Sequence, residues 1–259
     1  MKRTDFSDFG IGTWNLGGRG EPDYSHDAQN VESLRYAILR GVNFFDTAEM
    51  YASGHSEELL GKALQGEDRK RFFITTKAWP SSFGNLENSM RNSLKRLNME
   101  YVDLYLIHWP DVKYDHRTLI NNMLRLKDEG YTENIGVSNY DINLLKEAWE
   151  LSGGQIFANQ IEVNVEKVSA FNQIKEFCLE KGIMVVAYTP LNKNRMPRNS
   201  RMQNNIRKSG LNPAQYSLIY TMSIGAYPIP KAASKEHLGM LFNAVEMYRK
   251  GMVKIISET

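Results

Sequence analysis

The 259-residue sequence contains one cysteine, eight prolines and no apolar run approaching the roughly 18 residues of a membrane span. A single thiol, Cys178, excludes an intramolecular disulfide framework and points to a reducing compartment, the cytoplasm. It lies in the helical pattern IKEFCLEKG, where a small buried residue is expected. Excess charge is missing too: 32 basic and 30 acidic residues leave a formal net charge of +2. That balance gives no basis for a nucleic-acid or membrane-surface function. The amino-terminal MKRTDFSDFG lacks an apolar h-region, so no signal peptide is expected. With no Pro-, Gly- or Ser-rich linker and no low-complexity tract, residues 1–259 read as one domain. No G-x-G-x-x-G follows a strand pattern, which removes the usual dinucleotide fingerprint, and no Cys/His cluster points to a metal.

What is present is an alternation of short apolar runs with amphipathic stretches. The runs are FGIGTW, NFFDTA, FFITTK, VDLYLIH, NIGVSN, ANQIEVN, IMVVAYTP and AYPIPK. Most lack strict apolar–polar alternation, as parallel strands buried on both faces do. Between them, apolar residues recur at helical spacing. Val31, Leu34 and Ile38 precede Gly41; Leu59, Leu60, Ala63 and Leu64 follow Ser56, which is placed to cap; Leu238, Leu241, Phe242, Val245 and Tyr248 line a last helix. Eight such units predict an α/β fold, a (β/α)8 TIM barrel with a parallel eight-stranded barrel and outer helices, for which about 250 residues is typical.

Asp46, Lys77, His108 and Asn139 stand 31 residues apart, and each ends one of the strand-like runs. A strand, a helix and two loops take roughly 30 residues. The interval therefore sets one polar residue at the same edge of four successive units, the C-terminal edge where barrel chemistry sits. Asp46 and Lys77, on neighbouring strands, should lie side by side. Alone, the two are read equally well as a structural ion pair on the rim. Tyr51 follows in the loop DTAEMY and can fold over the same edge. A phenol with a pKa near 10 is a slow acid at neutral pH, and a neighbouring ammonium lowers that value. The expectation is a general acid, Tyr51, tuned downward by a Lys77 that Asp46 holds, with His108 hydrogen-bonding the oxygen that Tyr51 protonates.

These features resemble the aldo-keto reductases, in particular the short, prokaryotic-type members. The likeness is carried by GTW (12–14), GVNFFDTAEMY (41–51), SEELLGKAL (56–64), FFITTK (72–77), SLKRLNMEYVDLYLIHWP (93–110), IGVSNY (135–140), NQIEVN (159–164), AYTPL (187–191) and IPK (229–231). DTA-x-x-Y, a strand-ending lysine and LIHWP are specific in combination; each alone is weak. The resemblance implies that Tyr51 is the proton donor, Lys77 its tuning cation, Asp46 the partner of Lys77, and His108 the group that orients a carbonyl. The implied reaction is hydride transfer from a reduced nicotinamide to a small aldehyde or ketone, without a metal.

The resemblance also implies how the cofactor is held. Thr13 and Trp14 border it after the first strand. Ser138, Asn139 and Gln160 match residues that hold the nicotinamide carboxamide, and Tyr188 matches the ring that stacks on nicotinamide. Thr189, Pro190 and Leu191 begin the loop that passes the pyrophosphate, with threonine where serine is usual. Lys231 is in place for a ribose phosphate. Other positions depart from the pattern: Ala232 replaces a common serine, His237 a common arginine, and Met240 and Leu241 a Glu-Asn pair that reads adenine. Ser234 and Lys235 are placed to compensate. Lys193, Arg195, Arg198, Arg201, Arg207 and Lys208, with no acidic residue from 189 to 212, add attraction for phosphates. NADP(H) is therefore expected to be favoured moderately over NAD(H).

Trp14, Trp79 and Trp109 follow strands one, three and four and are expected to wall the substrate pocket. The short WPDVKYDHR loop and the few residues after the last helix predict an open site that accepts many small carbonyl compounds, in a monomer. Two other readings stand beside this one. One is a Schiff-base lyase with Lys77 as nucleophile. The other is a nicotinamide-binding regulatory or structural protein with little turnover.

Overall fold

The structure is a computed structural model that describes residues 5–231 and 234–255. Eight parallel strands form one sheet in sequence order: β1 (Ile11–Gly12), β2 (Phe44–Asp46), β3 (Phe73–Ala78), β4 (Val102–Ile107), β5 (Thr132–Ser138), β6 (Ile156–Glu162), β7 (Met184–Tyr188) and β8 (Tyr227–Pro228). Nine α-helices lie among the described residues: α1 (Asp27–Leu39), α2 (His55–Leu64), α3 (Leu86–Leu97), α4 (His116–Asp128), α5 (Ile142–Leu151), α6 (Ser169–Lys181), α7 (Ser200–Ser209), α8 (Pro213–Ser223) and α9 (Lys235–Arg249). Parallel neighbours need a crossover, and here each crossover carries the chain to the next position in the sheet. That one repeated step is the origin of the fixed interval in the sequence.

Period-two alternation decides which residues reach the inner face of the sheet. Phe44, Phe73, Leu104, Leu106, Ala158, Met184, Val186 and Ile229 form one buried cluster. They come from β2, β3, β4, β6, β7 and the segment after β8, so the sheet curls until its inner face meets itself. Residues of opposite parity, such as Phe45, Ile74, Tyr105 and Val185, pack outward in a larger cluster with the helices. Gly136 of β5 permits the close approach inside: a Cβ there would lie 2.7 Å from a Leu106 methyl and from the Ala158 carbonyl oxygen.

β1 and β8 are two residues each, shorter than the runs FGIGTW and AYPIPK predict. Pro228 and Pro230 have no N–H to give to a ladder. They still accept: Gly10 N–H donates to Pro228 O at 3.0 Å and Gly12 N–H to Pro230 O at 2.9 Å, and Gly12 bridges Lys231. Ser56 is not the cap of α2. Gly54 holds that position, and Ser56 Oγ donates instead to Leu16 O at 2.5 Å, tying α2 to the loop after β1. Cys178 is buried in α6, as expected. Among the described residues, no helix is long and apolar enough to cross a membrane.

Candidate active site

The inner-face parity of Phe44, Phe73, Leu106, Ala158 and Val186 also governs Asp46, Lys77, His108, Gln160 and Tyr188, further along the same strands. Asp46 ends β2, Lys77 is one residue from the end of β3, and His108 and Asn139 directly follow β4 and β5. All stand at the carboxyl edge. Register pairs Asp46 with Thr75, so Lys77 lies one pleat further on and its side chain meets the carboxylate diagonally. The buried Lys77 ammonium has three acceptors: Asp46 Oδ1 at 2.6 Å, Thr47 O at 2.7 Å and Tyr51 Oη at 3.1 Å. All three of its N–H donors are thus used. Burial opposes the Lys77 charge, but Asp46 and Tyr51 more than offset it, and its pKa is raised. Burial pushes the Asp46 carboxyl up; Lys77 and Gln160 oppose this only in part, and the net shift is upward. Its other oxygen accepts from Gln160 Nε2 at 2.7 Å; with both oxygens accepting, the group is a carboxylate.

A sharp turn brings Tyr51 to this pair. Ala52 and Ser53 adopt left-handed φ values of 49° and 52°, followed by Gly54 at 94°. Such a conformation costs on the order of 1–2 kcal/mol per non-glycine residue. It is offset by burial of the Tyr51 ring, whose centroid is 5.0 Å from that of Trp14 and 5.6 Å from that of His108, and by the bond from Ser53 Oγ to Gly20 O at 3.0 Å. The expected downward tuning of Tyr51 is corrected here. Burial raises its pKa; the pull of Lys77 opposes this, Asp46 adds to it, and the net shift is upward. Lys77 shares its field with a carboxylate 2.6 Å away, whereas desolvation acts on a phenolate in full. Tyr51 is therefore a phenol that holds its proton at neutral pH. Burial, and then the charge of Lys77, push the His108 ring down to about 2, so it is neutral. It sits edge-on to Trp79 at 5.1 Å, with Nδ1 buried and, among the described residues, without a partner.

The residues matched to the nicotinamide are first of all bonded to one another. Ser138 Oγ donates to Gln160 O at 2.8 Å. Asn139, at φ 63°, donates to His108 O and Ser138 Oγ at 3.0 Å each and accepts from Tyr188 Oη at 2.9 Å. These bonds lock the ends of β4 to β7 and orient the Tyr188 ring. Thr189 O accepts from Asn164 Nδ2 at 3.1 Å and Pro190 O from Ser217 Oγ at 2.6 Å, which fixes the loop that continues through Leu191. Trp14 and Trp109 are 44% and 43% exposed, and Trp79 is half-buried.

Toward β1 and β8 some buried polar atoms lack partners among the described residues. Thr13 Oγ1 and Asn15 Oδ1 are buried and unpaired among the described residues. Half-buried Lys231 donates to Asn15 O at 3.2 Å. These groups fit the ribose and phosphate of a dinucleotide. Ala232 lies outside the described residues. Ser234 is occupied as the cap of α9, accepting from His237 N at 3.2 Å, and Lys235 pairs with Glu32 at 2.5 Å. Burial lowers the pKa of His237, so its ring carries no charge at neutral pH. The six basic side chains from 193 to 208 are exposed, and Glu166 holds the backbone N–H of Arg198 at 3.0 Å.

Two residues went unread in the sequence. The Glu49 carboxylate accepts from Trp79 N at 2.6 Å and Ser89 Oγ at 2.5 Å, joining the Tyr51 loop to the pocket wall and to α3. Its signal was its place between Asp46 and Tyr51 in DTAEMY, where a carboxylate reads as solvated. Arg19, in the loop after β1, lines a pocket with Lys231. A larger cavity of about 720 Å³ opens at the opposite edge, beside the first residues of β7 and β8 and away from all these groups.

The Aldo/keto reductase family model matches residues 8–257. Over 238 residues the chain is 33% identical to methylglyoxal reductase YeaE of Escherichia coli, covering 88% of this chain and 82% of that one. It is 28% identical over 260 residues to aldehyde reductase YPR1 of Saccharomyces cerevisiae, covering 88% and 80%. Among solved structures it is similar to the thermostable aldo-keto reductase Tm1743 in complex with epalrestat, with TM-score 0.88, 36% identity and coverage of 98% and 92%. It is also similar to an aldo/keto reductase from Klebsiella pneumoniae in complex with NADP and acetate, with TM-score 0.84, 29% identity and coverage of 97% and 88%. With the match running through all eight strands and the loops that carry the buried charges, the chain belongs to the aldo/keto reductase family.

Proposed function

We propose that this protein reduces small aldehydes and ketones with NADPH, using Tyr51 as general acid at the carboxyl edge of a closed (β/α)8 barrel formed by one domain. Membership of the family makes it an NAD(P)H-dependent oxidoreductase acting on carbonyl groups. Closure is supported by the bonds from Gly10 and Gly12 to the β8 segment and by the Gln160–Asp46 bond, which crosses the interior from β6 to β2. NADPH is supported by Lys231 and by the NADP held in the Klebsiella relative. The uncharged His237 limits the preference to a moderate one.

The observation that carries the reading is the hydrogen-bond account at Lys77. A bound reduced nicotinamide supplies a hydride for the carbonyl carbon. Tyr51 Oη accepts from Lys77, so its own O–H remains to donate to the carbonyl oxygen. As that proton leaves, negative charge develops on Tyr51 Oη 3.1 Å from a fixed ammonium, which stabilises it without reorganisation. Neutral His108 donates to the same oxygen. For that role the ring carries its proton on Nε2. Asp46 and Gln160 hold Lys77 in place. The same account opposes a Schiff base at Lys77, because an ammonium with three bonded N–H groups has no lone pair to attack with. The half-exposed Trp14 and Trp109 support an open, apolar-walled mouth for small substrates.

The test is a cofactor titration followed by a panel of aldehydes, ketones and sugars, read at the nicotinamide absorbance, for the native chain and for Tyr51→Phe. The variant should bind cofactor normally and lose about 10²–10⁴-fold in turnover. Near-native turnover would move the acid role to another group. Tight cofactor binding with no turnover of any carbonyl by the native chain would favour a binding protein.

A further inference from the structure

Glu49 stands between Asp46 and Tyr51, yet no step above uses it. Beyond β2 the chain still follows β3: Thr47 N–H donates to Thr75 O at 2.9 Å and Glu49 N–H reaches Lys77 O at 3.4 Å. In a parallel ladder the next rung would run from Trp79 N–H back to the Glu49 carbonyl. Here the Glu49 side chain takes that N–H instead, with Oε1 2.6 Å from Trp79 N. Its other oxygen accepts from Ser89 Oγ of α3 at 2.5 Å. Ser89 Oγ also lies 2.9 Å from Tyr105 Oη of β4. With the serine proton given to Glu49, the Tyr105 phenol is the donor there. One half-buried carboxylate thus joins the continuations of β2 and β3 to α3 and, through a buried serine and a buried tyrosine, to β4.

What this carboxylate holds is the Trp79 indole. Pro80 follows Trp79 and favours extended backbone there, as found at φ −80° and ψ 150°. Trp79 O accepts from Ser82 N at 2.8 Å, so with its N–H on Glu49 both polar backbone groups of Trp79 are fixed. The indole then meets the His108 ring in a T-shaped contact, with centroids 5.1 Å apart and planes at 88°. The Tyr51 ring meets His108 in the same manner at 5.6 Å and 73°. His108 Nδ1 has no partner among the described residues, so packing against these two rings sets the orientation of the imidazole. Without the Glu49 side chain, Trp79 N–H would lose its acceptor, and so would the Tyr105–Ser89 chain.

We propose that Glu49 is a positioning residue: by holding the Trp79 backbone it keeps the indole against His108, and so keeps His108 and Tyr51 aimed at one carbonyl oxygen; this rests on the reduction reading above. Two conservative variants separate its reach from its charge. Glu49→Gln keeps the reach: the amide oxygen can accept from Trp79 N, and the amide NH₂ can donate to Ser89 Oγ, whose own proton then turns to Tyr105. Glu49→Asp keeps the charge and is one methylene short. Glu49→Asp should lower kcat about 10- to 100-fold, with Glu49→Gln within about threefold of native and cofactor affinity within about twofold in both. The reverse order overturns the proposal, because charge and not reach would then matter. A second readout needs no turnover: the near-ultraviolet circular dichroism of each chain minus that of its Trp79→Phe counterpart isolates this indole. That signal should be retained in Glu49→Gln and weakened in Glu49→Asp; a native signal in Glu49→Asp overturns the proposal. In the Trp79→Phe chain, Glu49→Asp should cost less than about twofold further in kcat, whereas losses that multiply mean that Glu49 acts without the indole and overturn it as well. If the native chain reduces no carbonyl, the reduction reading falls and the catalytic role of Glu49 with it. An indole signal that still follows the reach of the side chain distinguishes that outcome from a failure at Glu49 itself.

Discussion

The two sides of the carboxyl edge follow opposite electrostatic plans. From β2 to β4, Asp46, Lys77 and Tyr51 are buried and joined to one another, with each N–H of the ammonium bonded. Around β8 and β1, Lys231 and Arg19 share a polar pocket with Asp23, which accepts from Ser25, and buried oxygens of Thr13 and Asn15 lack donors among the described residues. The first side is complete in the protein alone. The second is completed by whatever brings phosphate and hydroxyl groups to it. A charge buried before any ligand arrives must have its partner in the fold, whereas a half-exposed cation can wait for one.

The largest break in this comparison comes from Lys77→Met. It leaves the Asp46 carboxylate buried without its counter-charge, and urea unfolding should show a loss of about 3–5 kcal/mol together with loss of turnover. Asp46→Leu added to Lys77→Met should restore much of the stability and none of the turnover. A Lys77→Met chain that unfolds at the native midpoint would mean that the first side is not interlocked.

Lys231→Ala should behave in the opposite way. It removes a cation that has no anion, so stability should change by less than about 0.5 kcal/mol. The ratio of kcat/KM with NADPH to that with NADH should be about tenfold in the native chain, roughly 1.4 kcal/mol, and fall toward one in the variant. A native preference for NADH would take Lys231 off the 2′-phosphate.

The smallest effect is on the pH profile, and it separates the two signs available to Tyr51. A proton donor loses activity as pH rises through its pKa. With that pKa raised above the ordinary value near 10, reduction should stay level from about pH 6 to about pH 9. His108, down at about 2, adds no limb in that range. A fall centred between about pH 7 and about pH 8 would mean that Lys77 wins over burial after all, as the residues read in isolation had suggested.

Much of the site was legible because it depends on repeats along the chain. The interval from Asp46 to Asn139 follows from one strand–helix unit repeated, and parity within each strand sends Asp46, Lys77 and His108 to the same face as Phe44, Phe73 and Leu106. DTAEMY places Tyr51 within reach of that face. These are short-range facts, set by 3.6- and two-residue periods. Ser56 was misread for a related reason: a serine before a helical pattern is a cap only if its hydroxyl has nothing better, and Leu16 O, distant in sequence, was better placed.

Local order in the chain therefore accounted for the eight units, their direction and the four polar residues at one edge. The curl of the sheet decided the rest. It brought Gln160 of β6 onto Asp46 of β2, Glu49 onto the backbone of Trp79, and Lys231 beside Arg19 and Asn15. It also set the direction in which the Tyr51 phenol shifts, because desolvation and charge pairing are sums over every neighbour in space, and those neighbours come from strands far apart in the chain.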